Sequence, residues 1–338
     1  MVRILDVAKH AGVSVASVSR VLSGLPGVSE TTRERVMTSV QALDYRPNLA
    51  ARRLRSQRTD TLGLIVSDIR NPYFTEVSRA VEDVAYANGL RVMFCNADED
   101  PEKENFYLEM MRDENVAGVI LSPTLPRLAH YRPADYPFPV VLVDRCESDT
   151  DADAVVLDNV DAAQRLVRHL MEIGHQRIVF FYGAASATGR QRLEGYQNAL
   201  ASAGLTPITQ ALKPTTDEAR AVMGHFLERH SQLPDAIVAS SGLILLGLVE
   251  ALREAKLSYP EDVALAGFDD MPWTRVVTPS ITVMAQPTYD MGRSAIELLL
   301  ARIAQPEQAV RRIVLRGELI VRGSCQRSQP ASVSSANQ

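Results

Sequence analysis

From residue 61 onward, the chain alternates between short apolar segments and amphipathic segments of helical length. The apolar segments are continuous, which is typical of strands buried on both faces of a parallel sheet. The strand candidates are TLGLIVS, RVMFCNA, AGVILSP, PVVLVDR, AVVLDN, RIVFFYG, DAIVASS, DVALAGFD and TVMAQP. Helices are predicted near residues 74–88, 102–113, 160–173, 189–203, 217–230, 243–255 and 288–304. Nine strands exceed one compact sheet of modest size, so the sequence predicts two Rossmann-like lobes, about residues 61–160 and 161–288.

The C-terminal region is predicted to complete both lobes. Residues 289–310 are assigned to the first lobe and residues 311–325 to the second. Within 311–324, RRIVLRGELIVRGS is interpreted as a hairpin that turns at Arg316 and Gly317. Residues 326–338 are polar and predicted to be disordered. No apolar heptad helix follows residue 325, so we expect a dimer rather than a tetramer joined by a C-terminal bundle.

The first 46 residues have a different pattern, that of short helices. ILDVAKHA and SVASVSRVL each carry apolar residues at helical spacing, and HAGVS joins them through Gly12. Ser14 is a plausible N-cap of the second segment, and SETTRERVMTSVQAL predicts a third helix. A glycine turn between two short helices is typical of a helix-turn-helix, although an ordinary three-helix bundle fits the same pattern. The predicted fold class is therefore α + α/β, with this head, a hinge helix and two lobes.

Charge separates the head from the body. Residues 1–58 hold ten lysines and arginines against four acidic residues, a net charge of +6, and the remainder holds 26 against 37, a net charge of −11. A basic head suggests an anionic partner such as nucleic acid, although a solvated basic face has the same composition. The second helix, residues 15–22, would expose Ala16, Ser17, Ser19 and Arg20. The serine hydroxyls suit phosphate contacts, and the arginine suits recognition of guanine in the major groove.

Residues 47–60 join the two parts and include four clustered arginines. Asn48 to Leu54 form a helix-like run too short to be stable alone in water. Such a segment makes sense if it orders only against DNA phosphates and against its own copy in a dimer. Leu54 would then be a wedge that kinks the duplex from the minor groove. The alternative is a flexible basic linker whose leucine packs on the body.

These motifs together resemble the LacI/GalR family of bacterial repressors. The similarity spans ILDVAKHAGVSVASVSRVLSG through YRPNLAARRL, and it extends through NPYF, RQRLEGYQNAL, GFDD and TPSITVMAQP. The resemblance implies a homodimer on a pseudo-palindromic operator, and a body folded like a periplasmic sugar-binding protein with an effector between its lobes. It also implies DNA-contacting roles for a set of residues. They are Ser14, Val15, Ala16, Ser17, Ser19, Arg20, Ser29, Thr32, Asn48, Ala51 and Leu54.

The predicted effector site lies beyond the carboxyl ends of the strands, where open α/β sheets bind ligands. The candidates that follow strands or open helices there are Asn71, Tyr73, Phe74, Arg145, Arg192, Ser241 and Asp269. The resemblance places Phe74, Arg145, Arg192 and Asp269 in the pocket. Two arginines favour an anionic ligand, because a buried guanidinium without a partner is costly. We therefore expect a sugar acid of the gluconate or ketogluconate type.

Two alternatives to this interpretation of the effector site remain. Arg145 can instead form a salt bridge with Asp144, Glu147 or Asp269, and the effector can be a neutral sugar or a phosphosugar. Ser241-Gly242 stands where many family members carry Asn-Asp, which removes an acceptor for a neutral polyol.

Other function classes have weaker support. No GxSxG, GxGxxG or Walker motif is present, and His225 and His230 are five apart, off one helical face, so we predict no enzyme activity, metal or cofactor. A sugar-binding transport protein would fit the body but not the head. No segment suggests a signal peptide or membrane span. Three cysteines without a CxxC pair favour a reducing cytoplasm.

Overall fold

The computed structural model describes residues 2–22, 26–45, 59–147, 150–230 and 232–326. The chain forms two units, residues 1–59 and residues 60–338. Residues 46–58, which carry the predicted hinge helix with Asn48, Ala51 and Leu54, lie outside the described residues, as do residues 327–338 of the predicted tail.

The head contains the three expected helices, α1 (Ile4–Ala11), α2 (Val15–Leu22) and α3 (Glu30–Ala42). Gly12 ends α1 with φ +62°, a left-handed conformation that glycine adopts without steric cost. Val7, Val18 and Val36 are fully buried at the centre of the head. The three helices therefore share a single small core, as the helical spacing predicted.

The first lobe is built on a parallel sheet with the spatial order β11-β5-β4-β3-β1-β2. Its strands are β1 (Thr61–Val66), β2 (Arg91–Asn96), β3 (Gly118–Leu121), β4 (Val140–Val143), β5 (Asp153–Leu157) and β11 (Arg312–Leu315). The central strands are buried along their whole length, which explains their continuous apolar sequences.

The second lobe repeats this plan with the order β12-β10-β9-β8-β6-β7, and only the pairing of β12 with β10 is antiparallel. Its strands are β6 (Ile178–Gly183), β7 (Ile208–Leu212), β8 (Ala236–Ala239), β9 (Ala264–Phe268), β10 (Thr282–Ala285) and β12 (Glu318–Ile320). Both sheets carry helices on both faces, so each lobe has two apolar layers.

Nine helices of the described body connect the strands. They are α4 (Pro72–Ala87), α5 (Pro101–Asp113), α6 (Leu125–Ala129), α7 (Asn159–Glu172), α8 (Ala187–Ser202), α9 (Thr216–Arg229), α10 (Gly242–Glu254), α11 (Pro272–Val276) and α12 (Thr288–Ala304). The seven predicted helices and the nine predicted strands of the body are all present, and α6, α11 and β7 are additional.

The predicted hairpin at residues 311–324 is wrong. β11 pairs in parallel with β5 of the first sheet, whereas β12 pairs with β10 of the second. A two-residue hairpin turn needs positive φ at one or both central positions, and neither Arg316 nor Gly317 has it. These two residues instead carry the chain from one sheet to the other, so residues 312–315 belong to the first lobe and not to the second.

Candidate functional site

The second helix of the head presents most of the predicted DNA-contacting residues at its surface. Ser14 caps α2, because its Oγ accepts a hydrogen bond from the Ser17 backbone N–H at 3.1 Å. Ala16 and Arg20 are exposed, while Ser17 and Ser19 are half-buried. Because Val18 and Val21 face the core, the opposite face of α2 points away from the core and is available to contact a binding partner. Val21 was not assigned to the buried stripe from the sequence.

The remaining described DNA candidates lie at the starts of helices. Val15 is half-buried against the core of the head, so only part of its side chain faces outward. Ser29 is the N-cap of α3, and its Oγ lies 2.9 Å from the Thr32 hydroxyl. Backbone N–H groups at helix starts favour anions, so these positions suit phosphate contacts. Their role in DNA binding stays a prediction.

A cavity of about 580 Å³ lies where the carboxyl ends of the two sheets face each other. All the predicted effector residues line it, namely Asn71, Tyr73, Phe74, Arg145, Arg192, Ser241 and Asp269. The structure therefore brings together side chains from both lobes that are up to 198 positions apart, counting from Asn71 to Asp269. That these residues bind an effector stays a prediction.

Helix starts from both lobes and two aromatic rings of the first lobe line the cavity. The Asn71 side chain caps α4 by accepting a hydrogen bond from the Tyr73 N–H at 3.1 Å. Tyr73 and Phe74 are buried and pack edge to face, with ring centroids 4.9 Å apart. Burial and the nearby Asp144 carboxylate raise the pKa of Tyr73 well above 10, so its hydroxyl stays protonated. Ser241 caps α10 in the second lobe.

An aspartate follows a central strand in each lobe. Asp144 comes after β4 and Asp269 after β9, with φ of +72° and +74° respectively. The Asp269 carboxylate accepts hydrogen bonds from the Gly242 N–H at 2.8 Å and the Gln286 side chain at 2.6 Å. Burial raises the pKa of Asp144. Left-handed backbone at two non-glycine residues is a strain that is often kept at functional sites.

Arg192 is the buried cation of the second lobe. Its Nε donates to Asn159 Oδ1 at 2.8 Å, its Nη1 donates to the Ser240 carbonyl at 2.6 Å, and the guanidinium lies 4.1 Å from the centre of the Phe268 ring. Burial lowers the pKa of Arg192. Within the described residues, Arg192 forms no ion pair. Its guanidinium is stabilised by hydrogen bonds to neutral acceptors and by the face of the Phe268 ring.

Arg145, in contrast, is neutralised within the first lobe. It is 5% exposed, and its guanidinium pairs with Asp144 at 3.1 Å and with both carboxylate oxygens of Glu99. The alternative of a salt bridge to Asp144 is therefore confirmed, and Glu99 is a partner that the sequence did not suggest. The two arginines are not equivalent, and only Arg192 supports the argument for an anionic ligand.

Sequence reasoning missed several other cavity residues. They are Asp68, Arg70, Glu99, Thr124, Ser186, Thr188, Lys213, Thr215 and Gln286. Asp68 follows β1 and Lys213 follows β7. Asp144 and Asp269 were located because residues just after the carboxyl end of a strand line the ligand site, and the same rule applied to β1 predicts Asp68. Lys213 and Thr215 were missed because β7 itself was missed.

The described residues hold neither a cluster of metal-ligating side chains nor a membrane-spanning helix. In the described ranges, no group of three or more His, Cys, Asp or Glu side chains is arranged to hold a metal ion. Cys95, Cys146 and Cys325 are all buried. Of the helices in the same ranges, none is long and apolar enough to cross a membrane.

Comparison with known proteins follows the same division of the chain. Residues 3–48 match the model described as bacterial regulatory proteins, lacI family, and residues 167–325 match a periplasmic binding protein-like domain. The ribose operon repressor of Halalkalibacterium halodurans is 35% identical over 323 residues, 95% of this chain and 96% of the relative. The regulator PtxS of Pseudomonas aeruginosa is 35% identical over 325 residues, 96% and 95% of the two chains.

Solved structures give the same result for the fold. A complex of the transcriptional regulator CelR with cellobiose is 30% identical and covers 96% of this chain and 100% of its own, with a TM-score of 0.71. The lac repressor dimer bound to operator and the anti-inducer ONPF shares the fold with a TM-score of 0.87, at 24% identity over 96% and 99% of the two chains. The protein is thus a DNA-binding regulator and not an enzyme, and the chain belongs to the LacI family of bacterial transcriptional regulators.

Proposed function

We propose that the protein represses genes of carbohydrate or sugar-acid catabolism, and that a small sugar acid bound between the lobes controls its affinity for operator DNA. The observation that carries this proposal is Arg192, a buried guanidinium in the wall of the cavity that has no ion-pair partner among the described residues. A ligand carboxylate would offset the cost of burying that charge.

The remaining contacts suit a polyhydroxylated ligand. Asp144 and Asp269 are acceptors for hydroxyl groups on opposite lobes, and the Phe74 and Tyr73 rings offer apolar surface for the C–H face of a sugar. A cavity of about 580 Å³ accommodates a molecule of sugar size. A gluconate or ketogluconate type of acid meets these requirements with one carboxylate and several hydroxyls.

The second candidate is a regulator that responds to a neutral sugar. Two observations favour it: the pairing of Arg145 with Glu99 and Asp144, and the relatives named for ribose or solved with cellobiose. In that case Arg192 would donate to hydroxyl groups, and its buried charge would be balanced only by the nearby carboxylates of Asp269 and Asp144.

We propose that the protein acts as a homodimer in the cytoplasm on a pseudo-palindromic operator. Residues 48–54 of both subunits would order against the DNA, with Leu54 as the minor-groove wedge. Effector binding would change the angle between the lobes and separate these segments, so that operator affinity falls. Only a ligand that binds the two lobe arrangements with different affinity can drive this shift.

A direct experiment begins with operator sequences selected from random duplex DNA by repeated rounds of binding. Calorimetry then tests gluconate, ketogluconate, glucose, ribose and cellobiose against the free protein. We expect one sugar acid to bind, and the same compound to release the selected DNA. Binding of neutral sugars alone would favour the second candidate, and the failure of any selected DNA to bind in a salt-sensitive way would reject the proposed regulator.

A further inference from the structure

The first-lobe wall of the cavity contains one guanidinium and two carboxylates in direct contact. Arg145 Nη1 donates to Glu99 Oε2 at 2.8 Å, Nη2 donates to Glu99 Oε1, and Nε donates to Asp144 Oδ2 at 3.1 Å. Nη1 also donates to the Pro123 carbonyl at 3.3 Å. Each nitrogen of the guanidinium thus has a partner within the protein, and the three charged groups together carry a net charge of −1.

The other charges on this wall cancel. The Arg70 guanidinium pairs with Asp68 at 2.8 Å, and the Lys103 ammonium pairs with Asp98. The second-lobe wall differs, since neither Arg192 nor Lys213 forms an ion pair among the described residues, and these two cations outnumber the Asp269 carboxylate on the same wall. The cavity is therefore negative at its first-lobe end and positive at its second-lobe end.

The backbone at Glu99 indicates that this carboxylate is not an incidental surface charge. Glu99 has φ +58° and follows Asp98 with φ +54°, and its N–H donates to the Ser67 carbonyl at 2.9 Å. Glutamate is unusual in this left-handed region, where glycine would cost less. The side chain is 32% exposed and lines the cavity, so a ligand at this end meets it.

We propose that Glu99 is a specificity-determining residue that excludes a second anionic group from the first-lobe end of the cavity. By neutralising Arg145, it makes this end a site for uncharged hydroxyls, and a ligand with one carboxylate binds with that group toward Arg192. This inference rests on the proposed sugar-acid function. It predicts rejection of aldaric acids and of sugars that carry an acid at one end and a phosphate at the other.

The test uses gluconate, which has one carboxylate, and glucarate, which has one at each end of a similar chain. Calorimetry measures both affinities for the wild-type protein, Glu99→Gln and the control Glu102→Gln. Glu102 is exposed in the first turn of α5 and lies outside the cavity. We expect the preference for gluconate over glucarate to fall about tenfold or more in Glu99→Gln, because the like-charge repulsion is removed. The control should keep the wild-type preference.

An unchanged preference in Glu99→Gln, with gluconate still bound, would overturn the role of Glu99 and leave the proposed function standing. If neither acid binds any variant, the sugar-acid function is wrong, and inorganic phosphate then tests Glu99 separately. Released from Glu99, Arg145 should give the variant an additional phosphate-dependent rise in Tm, beyond that of the wild-type protein, which Glu99→Gln/Arg145→Met loses. No such rise would overturn the inference. Glu99→Gly, which suits the left-handed backbone, replaces Glu99→Gln if that variant fails to fold.

Discussion

Replacing Arg192 with methionine separates ligand recognition from stability. The variant loses the donors to Asn159 Oδ1 and the Ser240 carbonyl, and each buried acceptor left unpaired costs about 1–3 kcal/mol. The substitution also removes the unfavourable free energy of burying a guanidinium that has no ion pair in the described structure. This gain in stability is similar in size to the loss from the unpaired acceptors and opposite in sign. We therefore expect the free energy of unfolding to change by less than about 2 kcal/mol.

The effect of this substitution on the ligand should be much larger. A charge-assisted contact from a guanidinium to a carboxylate contributes about 2–3 kcal/mol, which corresponds to roughly a 30- to 150-fold loss of gluconate affinity. Calorimetry measures the affinity and urea unfolding measures the stability. Arg190→Met is the control, since Arg190 lies on the same helix but is exposed and, in the described part of the chain, donates only to the Ala184 carbonyl. A gluconate affinity within threefold of wild type would refute the role of Arg192.

Three further predictions concern the head, the linker and the response to pH. Leu54→Ala should weaken binding to selected operator DNA by fluorescence anisotropy while gluconate affinity stays within twofold; equal operator affinity would rule out the wedge. Ser14→Ala should destabilise α2 by about 1 kcal/mol, measured as faster amide exchange at Ser17, and unchanged exchange would contradict the capping role. Burial lowers the pKa of His169 below its ordinary 6.5, with Glu172 opposing and His175 adding to the shift. As the pH decreases, the unfolded chain is protonated at His169 at a higher pH than the folded chain. The free energy of unfolding therefore decreases as the pH drops below about 6.5. His169→Gln should lose less stability by urea unfolding between about pH 7 and pH 5, and an identical loss would contradict the assignment.

The sequence predicted the strands that are buried on both faces, since each is a continuous apolar run. It missed β7 because an edge strand has one neighbour and is only half-buried, so polar Thr209 and Gln210 are tolerated there. It misassigned residues 311–324 because an Arg-Gly pair between two short apolar runs suits a hairpin as well as a crossing between sheets. The choice between these depends on which strand edges are unpaired elsewhere in the fold.

Cavity residues were predictable where a strand end placed them. Parallel strands bring their carboxyl ends to one edge of each sheet, and these edges of the two sheets face the same cavity. Arg145 of the first lobe and Asp269 of the second therefore both line it, although they are 124 positions apart in sequence. Their charge partners were not predictable in the same way. Glu99 lies 46 positions before Arg145, and their ion pair depends on the conformation of the loop after β2. The net charge of each wall of the cavity therefore required the structure.

The most direct test of the central claim is a titration of selected operator DNA with and without saturating gluconate. At a gluconate concentration that saturates the wild-type protein but leaves Arg192→Met largely unbound, we expect operator affinity to fall at least about fivefold in the wild-type protein and to stay unchanged in the variant. Reciprocity requires operator DNA to weaken gluconate binding by the same factor. Equal operator affinity in both conditions, with gluconate bound in the same samples by calorimetry, would contradict the claim that the cleft controls the head.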